Sequence, residues 1–214
     1  MKRIRLIVMV VVVMVIGVVA IACFRAREPR YQGRTLWEWI QAEGYSEQDN
    51  AGTRKARHAI KQMAPDAIPV FLKWAQAKDT PFKLKMMIWS SRYPVLHLNP
   101  YLAEEYHIMA LHGFKVLGSD AKPAWPVLIQ WTSAPDADRR VMGLGCLAES
   151  KPDKETLLPV LLRLIHDPDK RVQSYSAYIL HYNFTQDAEA SGVYKLFPEM
   201  TNRPTINTKK HIID

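Results

Sequence analysis

The sequence predicts an all-α domain of stacked helical hairpins that follows an N-terminal transmembrane helix. Three observations predict this fold. A run of 19 residues without a charge, 6–24, follows a short basic start. A proline-led segment recurs with a spacing of 33 residues in the second half of the chain. Elsewhere the apolar residues follow the i, i+3, i+4, i+7 spacing of amphipathic helices, and no alternating strand pattern persists.

The N-terminal segment, residues 1–24, is predicted to be a transmembrane anchor or signal segment. At a rise of about 1.5 Å per residue its apolar stretch spans most of a hydrocarbon core of ~30 Å. An uncleaved anchor is our first prediction. Residues 20–22 read Ala-Ile-Ala, as at a signal-peptidase site, and Cys23 resembles a lipoprotein attachment site, so a secreted form and a lipoprotein are alternatives.

Charge gives the membrane orientation only weakly, because basic residues flank the apolar stretch in nearly equal number. The order of basic and apolar regions favours a single-pass protein with an extracytoplasmic C-terminal domain. The formal charge is +8, and three of the basic residues belong to the N-terminal segment. The remaining 26 basic and 21 acidic residues leave +5, a weak signal that disfavours nucleic acid as the partner.

Beyond the apolar stretch we predict a linker (25–34), a helical repeat domain (35–197) and a mobile tail (198–214). Helix starts are marked by capping and proline signals. These are the Thr35–Glu38 capping box, Asn50, Thr80-Pro81 and Asn99-Pro100, with Gly118 as a helix stop. Tyr93-Pro94 is predicted to break the helix that begins at Pro81.

The repeat consists of three copies, which begin "PVFLKW", "PVLIQW" and "PVLLRL" at Pro69, Pro126 and Pro159. In each copy an aspartate stands ten residues after the proline, at Asp79, Asp136 and Asp169. A fixed period of this length is typical of stacked repeat proteins. We expect each proline early in the first helix of its hairpin, and the aspartates of the last two copies capping the second helix.

The segment "LLPVLLRLIHDPDKRVQSYSAYIL" resembles the HEAT-type repeat, including the HEAT-like units of the phycobilisome-lyase type. The resemblance covers residues 67–183 well, and "YQGRTLWEWI" upstream is similar to membrane-anchored bacterial HEAT proteins. It implies an α-solenoid of antiparallel helical hairpins. In place of the Val-Arg and Ala that the family usually has, the last copy has Val172-Gln173 and Ser176.

Motifs for catalysis and for cofactor or metal binding are weak throughout. Glu104 and His107 have the spacing of one arm of a di-iron site, but no second Glu-x-x-His follows. "GFKVLGSD" lacks the Lys-Ser/Thr of a phosphate loop. We therefore predict no catalytic residues, no cofactor and no metal. No disulfide is predicted either, because the two cysteines are far apart in the sequence and Cys23 lies in the N-terminal apolar stretch.

These observations favour a membrane-tethered, non-enzymatic scaffold for an unidentified protein partner. The alternative is an enzyme or nucleic-acid-binding protein, because HEAT-like proteins include ones that resemble chromophore lyases or DNA glycosylases. Basic residues recur at the starts of the second helices, where they form either an exposed ridge for an acidic partner or ordinary solvated helix ends. Two tryptophans on the first helix are either core residues or anchors for a partner. The predicted partner-binding residues are Arg139, Arg140, Lys170, Arg171, Trp37 and Trp39.

Overall fold

The structure is a computed structural model that describes residues 28–44, 50–91 and 101–200. The predicted anchor and most of the predicted tail lie outside the described residues, as do Tyr93-Pro94 and Asn99-Pro100. Among the helices of the described ranges, none combines the length and apolar character that crossing a bilayer requires.

The chain divides into two compact units, residues 1–70 and 71–214. In the first unit, β1 (Arg30–Tyr31) pairs antiparallel with β2 (Arg34–Thr35), so a short hairpin lies where the sequence predicts a linker. Positive φ angles at Gln32 and Gly33 (49° and 79°) form the hairpin turn. Three helices follow: α1 (Leu36–Glu43), α2 (Ala51–Gln62) and α3 (Ala64–Trp74), within which the border between the units falls.

Every regular element in the described part of the second unit is a helix, so the fold is helix-rich, as the all-α prediction requires. Its helices are α4 (Pro81–Ser91), α5 (Ala103–Leu117), α6 (Trp125–Trp131), α7 (Ala137–Glu149), α8 (Lys154–Leu164), α9 (Lys170–Asn183), α10 (Thr185–Ala190) and α11 (Val193–Leu196). Two 3₁₀ segments, Gly118–Ala124 and Pro198–Met200, complete it. Helix α7 packs against α5, α6 and α9, and α9 also packs against α8 and α10.

The predicted helix caps that fall on described residues are present. Thr35 and Glu38 form a reciprocal capping box, and Asn50 caps α2. Asp136 and Asp169 each accept a hydrogen bond from the backbone N–H two residues later, at 3.1 and 2.9 Å. These bonds satisfy N–H groups that a helix start leaves without an internal partner.

Asp79 has a different role from its two repeat equivalents. Its carboxylate accepts the backbone N–H of Ala103, at 3.0 and 3.1 Å, and so caps α5 from 24 residues away. It also accepts from Lys83 Nζ at 2.6 Å. The start of α4 is capped instead by Thr80, whose hydroxyl accepts the Lys83 N–H at 3.2 Å.

The expected early position of the repeat prolines is correct for Pro126, the second residue of α6, and wrong for Pro69 and Pro159. Each of these two is the sixth residue of its helix. All three prolines are exposed, so the helix carbonyl left without an N–H partner by each interior proline lies on the solvent side.

Repeat-equivalent positions make equivalent contacts in the core of the second unit. Leu128 and Leu161 are fully buried, as are Leu147 and Leu180. A Cβ on Gly143 of α7 would lie 3.0 Å from the Leu128 carbonyl oxygen. The equivalent residue of α9, Ser176, donates its hydroxyl to the Leu161 carbonyl at 2.9 Å. In both hairpins the second helix therefore approaches the first at the same backbone position.

Candidate functional site

The predicted basic residues of the second unit lie in and beside the turns that join its helices. We call this region the turn edge and define it as residues 76–79, 132–140 and 163–171. The last two segments contain the repeat-equivalent turns between α6 and α7 and between α8 and α9.

Arg140 is buried, with 9% of its surface exposed, so the prediction that it forms part of an exposed ridge is wrong. Its Nη2 and Nε donate to the two carboxylate oxygens of Asp167, at 2.7 and 2.8 Å. Its Nη1 donates to the carbonyls of Ala134 and Pro135, at 2.8 and 2.9 Å. The guanidinium is thus used inside the protein, because it satisfies the carbonyls of one turn and the carboxylate of the next.

Arg171 is exposed and holds two carboxylates. Its Nη1 donates to Asp138 at 2.7 Å, and its Nη2 donates to Asp169 at 3.1 Å. The hydrogen bonds from the Arg171 side chain and backbone hold the pKa of the Asp169 carboxyl below its usual range. Asp138 is the repeat equivalent of Arg171, 33 residues earlier.

Arg163 is a third cation of the turn edge, which the sequence reading did not single out. Its Nη1 donates to the Ser133 hydroxyl at 2.6 Å, and its Nη2 donates to the Thr132 hydroxyl at 2.6 Å. Its sequence signal is weak, because the equivalent residue of the preceding copy is Gln130. Arg163 therefore ties the end of α8 to the end of α6.

Of the four basic residues predicted to bind a partner, Arg139 and Lys170 are exposed and make no ion pair with the described residues. The guanidinium of Arg139 lies 5.1 Å from the ring centroid of buried Trp131 and donates to Gln76 Oε1 at 2.9 Å. Lys170 lies at a groove with a volume of about 280 Å³. The groove is lined by Ile165, His166, Lys170, Gln173, Ser174, Leu196 and Phe197.

The turn edge carries nearly balanced charge. Its three segments contain six Lys or Arg and five Asp, which gives a net charge of +1. Most of these charges are paired within the turn edge, as Lys78 is with Asp136 at 3.8 Å. Asp79 is paired with Lys83, which lies just outside it. The turn edge is therefore an ion-pair network with a cation-bearing groove at one end, in place of the continuous basic ridge predicted from the sequence.

The two candidate tryptophans of the first unit differ in exposure. Trp39 is buried at 3% exposure, and its Nε1 donates to the Tyr31 carbonyl at 3.0 Å. The Arg34 guanidinium lies 5.0 Å from its ring centroid. Trp37 is half-buried on α1, and its backbone N–H donates to Glu28 Oε1 at 2.7 Å. Trp39 is thus a core residue, and Trp37 is the one of the two with ring surface near solvent.

The described side chains that were considered for metal binding or that carry a reactive group have structural surroundings. His107 Nε2 lies 2.9 Å from the Ala77 carbonyl oxygen, whereas Glu104 is exposed. Burial raises the pKa of the Cys146 thiol well above its usual range and raises the pKa of Tyr175 to about 12, so both groups are held neutral. Within residues 28–44, 50–91 and 101–200, no group of three His, Cys, Asp or Glu side chains is arranged to hold a metal.

Comparison with known proteins adds no relative: no family model, no curated protein and no solved structure matches the chain.

Proposed function

We propose that the chain is a membrane-tethered, non-enzymatic scaffold for protein–protein interaction, with HEAT-like hairpins stacked as an α-solenoid. The contact between Asp138 and Arg171 carries the proposal, because these residues are one repeat period apart and their side chains meet at 2.7 Å. Equivalent positions of neighbouring copies come into contact when the copies stack side by side in the same orientation, which is how repeat proteins are built.

Two further contacts support the same stacking. Arg163 reaches Thr132 over 31 residues, and Arg140 reaches Asp167 over 27 residues. Each joins the turn region of one hairpin to that of the next. Stacked hairpins present a long surface for binding a partner, and they need no catalytic group to do so.

The proposed docking point for an acidic partner is the groove at Lys170 together with Arg139. Both cations are exposed, and Leu196 beside the groove is 50% exposed. A partner with a carboxylate and an apolar side chain fits this combination. Exposed cations of this kind speed and orient encounter with an acidic protein more than they add affinity.

The tether is assigned to residues 6–24, whose composition suits a bilayer-spanning helix. A reporter fused to the C-terminus of the full chain should remain with membranes after a carbonate wash. Recovery of the fusion in the soluble fraction, with a mass that shows the N-terminal segment to be missing, would refute the tether and favour the cleaved form.

The binding role is tested by capture of partners from native membranes with the full chain. Arg139→Glu and Lys170→Glu, alone and together, should weaken capture. Lys115→Glu, an exposed lysine of α5 outside the turn edge, is the matched charge reversal and should leave capture unchanged. Equal capture by all variants would refute this docking point.

The nucleic-acid alternative is separated by a salt titration. A high affinity for duplex DNA at low salt that decreases steeply as salt is added would favour that alternative over the scaffold.

A further inference from the structure

Helix α4 exposes an unusually large number of apolar side chains to solvent. Four of its large apolar side chains are exposed: Phe82 (76%), Leu84 (43%), Ile88 (64%) and Trp89 (52%). Lys85 is exposed among them. Exposed apolar residues are ordinary when they are scattered singly, but a cluster on one element marks an interaction surface.

The exposed residues share one side of α4. With 3.6 residues per turn, Leu84, Ile88, Lys85, Trp89 and Phe82 fall within an arc of about 160°. The opposite arc holds Lys83, Met86 and Met87, which are half-buried. Lys83 is bound to Asp79, which also caps α5, so this side of the helix is the one turned toward α5. The apolar arc is consequently a continuous face directed outward, and we call it the α4 face.

The composition of the α4 face indicates what it contacts. It combines two aromatic rings, two branched aliphatic side chains and one lysine, and α4 contains no acidic residue. Aromatic and aliphatic side chains together with lysine are what helices use at the boundary between lipid headgroups and acyl chains. The stem of Lys85 can lie along the apolar surface while its ammonium reaches the headgroup phosphates.

We propose that the α4 face binds a lipid bilayer at its interface. This inference rests on the proposed tether in one respect, because residues 6–24 supply the nearby bilayer and so raise its effective concentration for α4. The tether holds the chain at the membrane, and the α4 face then fixes part of the second unit against the lipid surface.

The test uses the full chain reconstituted in vesicles of phosphatidylcholine and phosphatidylglycerol. An environment-sensitive fluorophore is attached to Lys85→Cys in a Cys23→Ala background, where Cys146 is buried and does not compete for the label. Lys115→Cys, at an exposed lysine of α5, carries the same fluorophore as the matched control. Lipids that carry a nitroxide quencher at the headgroup boundary report contact with the bilayer.

We expect quenching at position 85 to be several-fold stronger than at position 115. Replacing Phe82→Gln and Leu84→Gln together should bring it down to the level of the control. Equal quenching at positions 85 and 115 would overturn the proposal, and so would quenching that survives the double glutamine replacement. A probe shielded from aqueous iodide but unaffected by the nitroxide lipids would overturn it too, because protein would then cover the face. Carbonate extraction of the same samples reports separately whether the tether has failed.

Discussion

Arg140 binds both carboxylate oxygens of Asp167, with its Nη2 at 2.7 Å and its Nε at 2.8 Å. The two residues are 27 positions apart and belong to successive turns of the turn edge. Because both side chains are largely removed from water, loss of one partner leaves the other charged and without compensation.

Arg140→Ala should therefore lower the free energy of unfolding by about 3 kcal/mol, the lower end of the range for broken buried pairs, because the site borders solvent. Chemical denaturation monitored by circular dichroism measures the change. The neighbouring Arg139→Ala is the control and should cost less than about 1 kcal/mol, because its guanidinium is exposed. Equal midpoints for the two variants would contradict the burial of Arg140.

Leu128→Ala and Leu161→Ala should each destabilise the protein by about 2–5 kcal/mol, because both leucines are fully buried and each truncation leaves a cavity. Leu162→Ala is the control on the same helix as Leu161, and it should have a small effect because Leu162 is 36% exposed. Thermal or chemical melting that ranks Leu162→Ala with the other two would show that the burial is misassigned.

Gly143→Ala should destabilise the protein although alanine is the better helix former. Its Cβ would lie 2.7 Å from the Trp131 Cβ and 3.0 Å from the Leu128 carbonyl oxygen, so α6 and α7 must move apart. Overpacking of this kind costs about 1–3 kcal/mol, which outweighs the gain of about 1 kcal/mol from helix propensity.

Ser176→Ala, at the equivalent position of the next hairpin, is compared with Gly143→Ala. It removes one hydrogen bond, worth about 1 kcal/mol, without any steric conflict. A more stable Gly143→Ala variant in chemical denaturation would show that the two helices are not in close contact.

Asp79→Asn should reduce the pH dependence of the free energy of unfolding at acid pH. The hydrogen bond from the Lys83 side chain, assisted by the Ala103 N–H, lowers the pKa of Asp79. A carboxyl whose pKa is lower in the folded state stabilises the protein above its unfolded pKa of about 3.9, and this contribution is lost as the pH falls through the folded value.

The free energy of unfolding of the parent should thus decrease from about pH 4 downward more steeply than that of the asparagine variant. The comparison is made by denaturation at a series of pH values. Asp66→Asn, at an exposed aspartate of α3, is the control for replacing a carboxylate on the surface. If the free energy of unfolding falls equally steeply below pH 4 in Asp79→Asn and in the parent, the ionised Asp79 carboxylate does not stabilise the fold.

Local signals in the sequence were sufficient for four of the helix starts and for the buried leucines of the repeat. The Thr35–Glu38 capping box, the Asn50 cap and the aspartates at 136 and 169 act within three residues of themselves. Such bonds depend on the neighbouring backbone alone, so a short stretch of sequence determines them. The burial of Leu128 and Leu161 follows in the same way from helical periodicity.

Tertiary packing decided the properties of the candidate site. Arg139 and Arg140 are adjacent and chemically identical, yet one is exposed and the other is buried against Asp167. Asp79 matches Asp136 in the repeat register, yet it caps a helix that begins 24 residues later. Each difference depends on a group that is distant in the sequence and near in space. A charge is buried only where such a partner compensates for its lost hydration, and helix stacking alone determines where that partner lies.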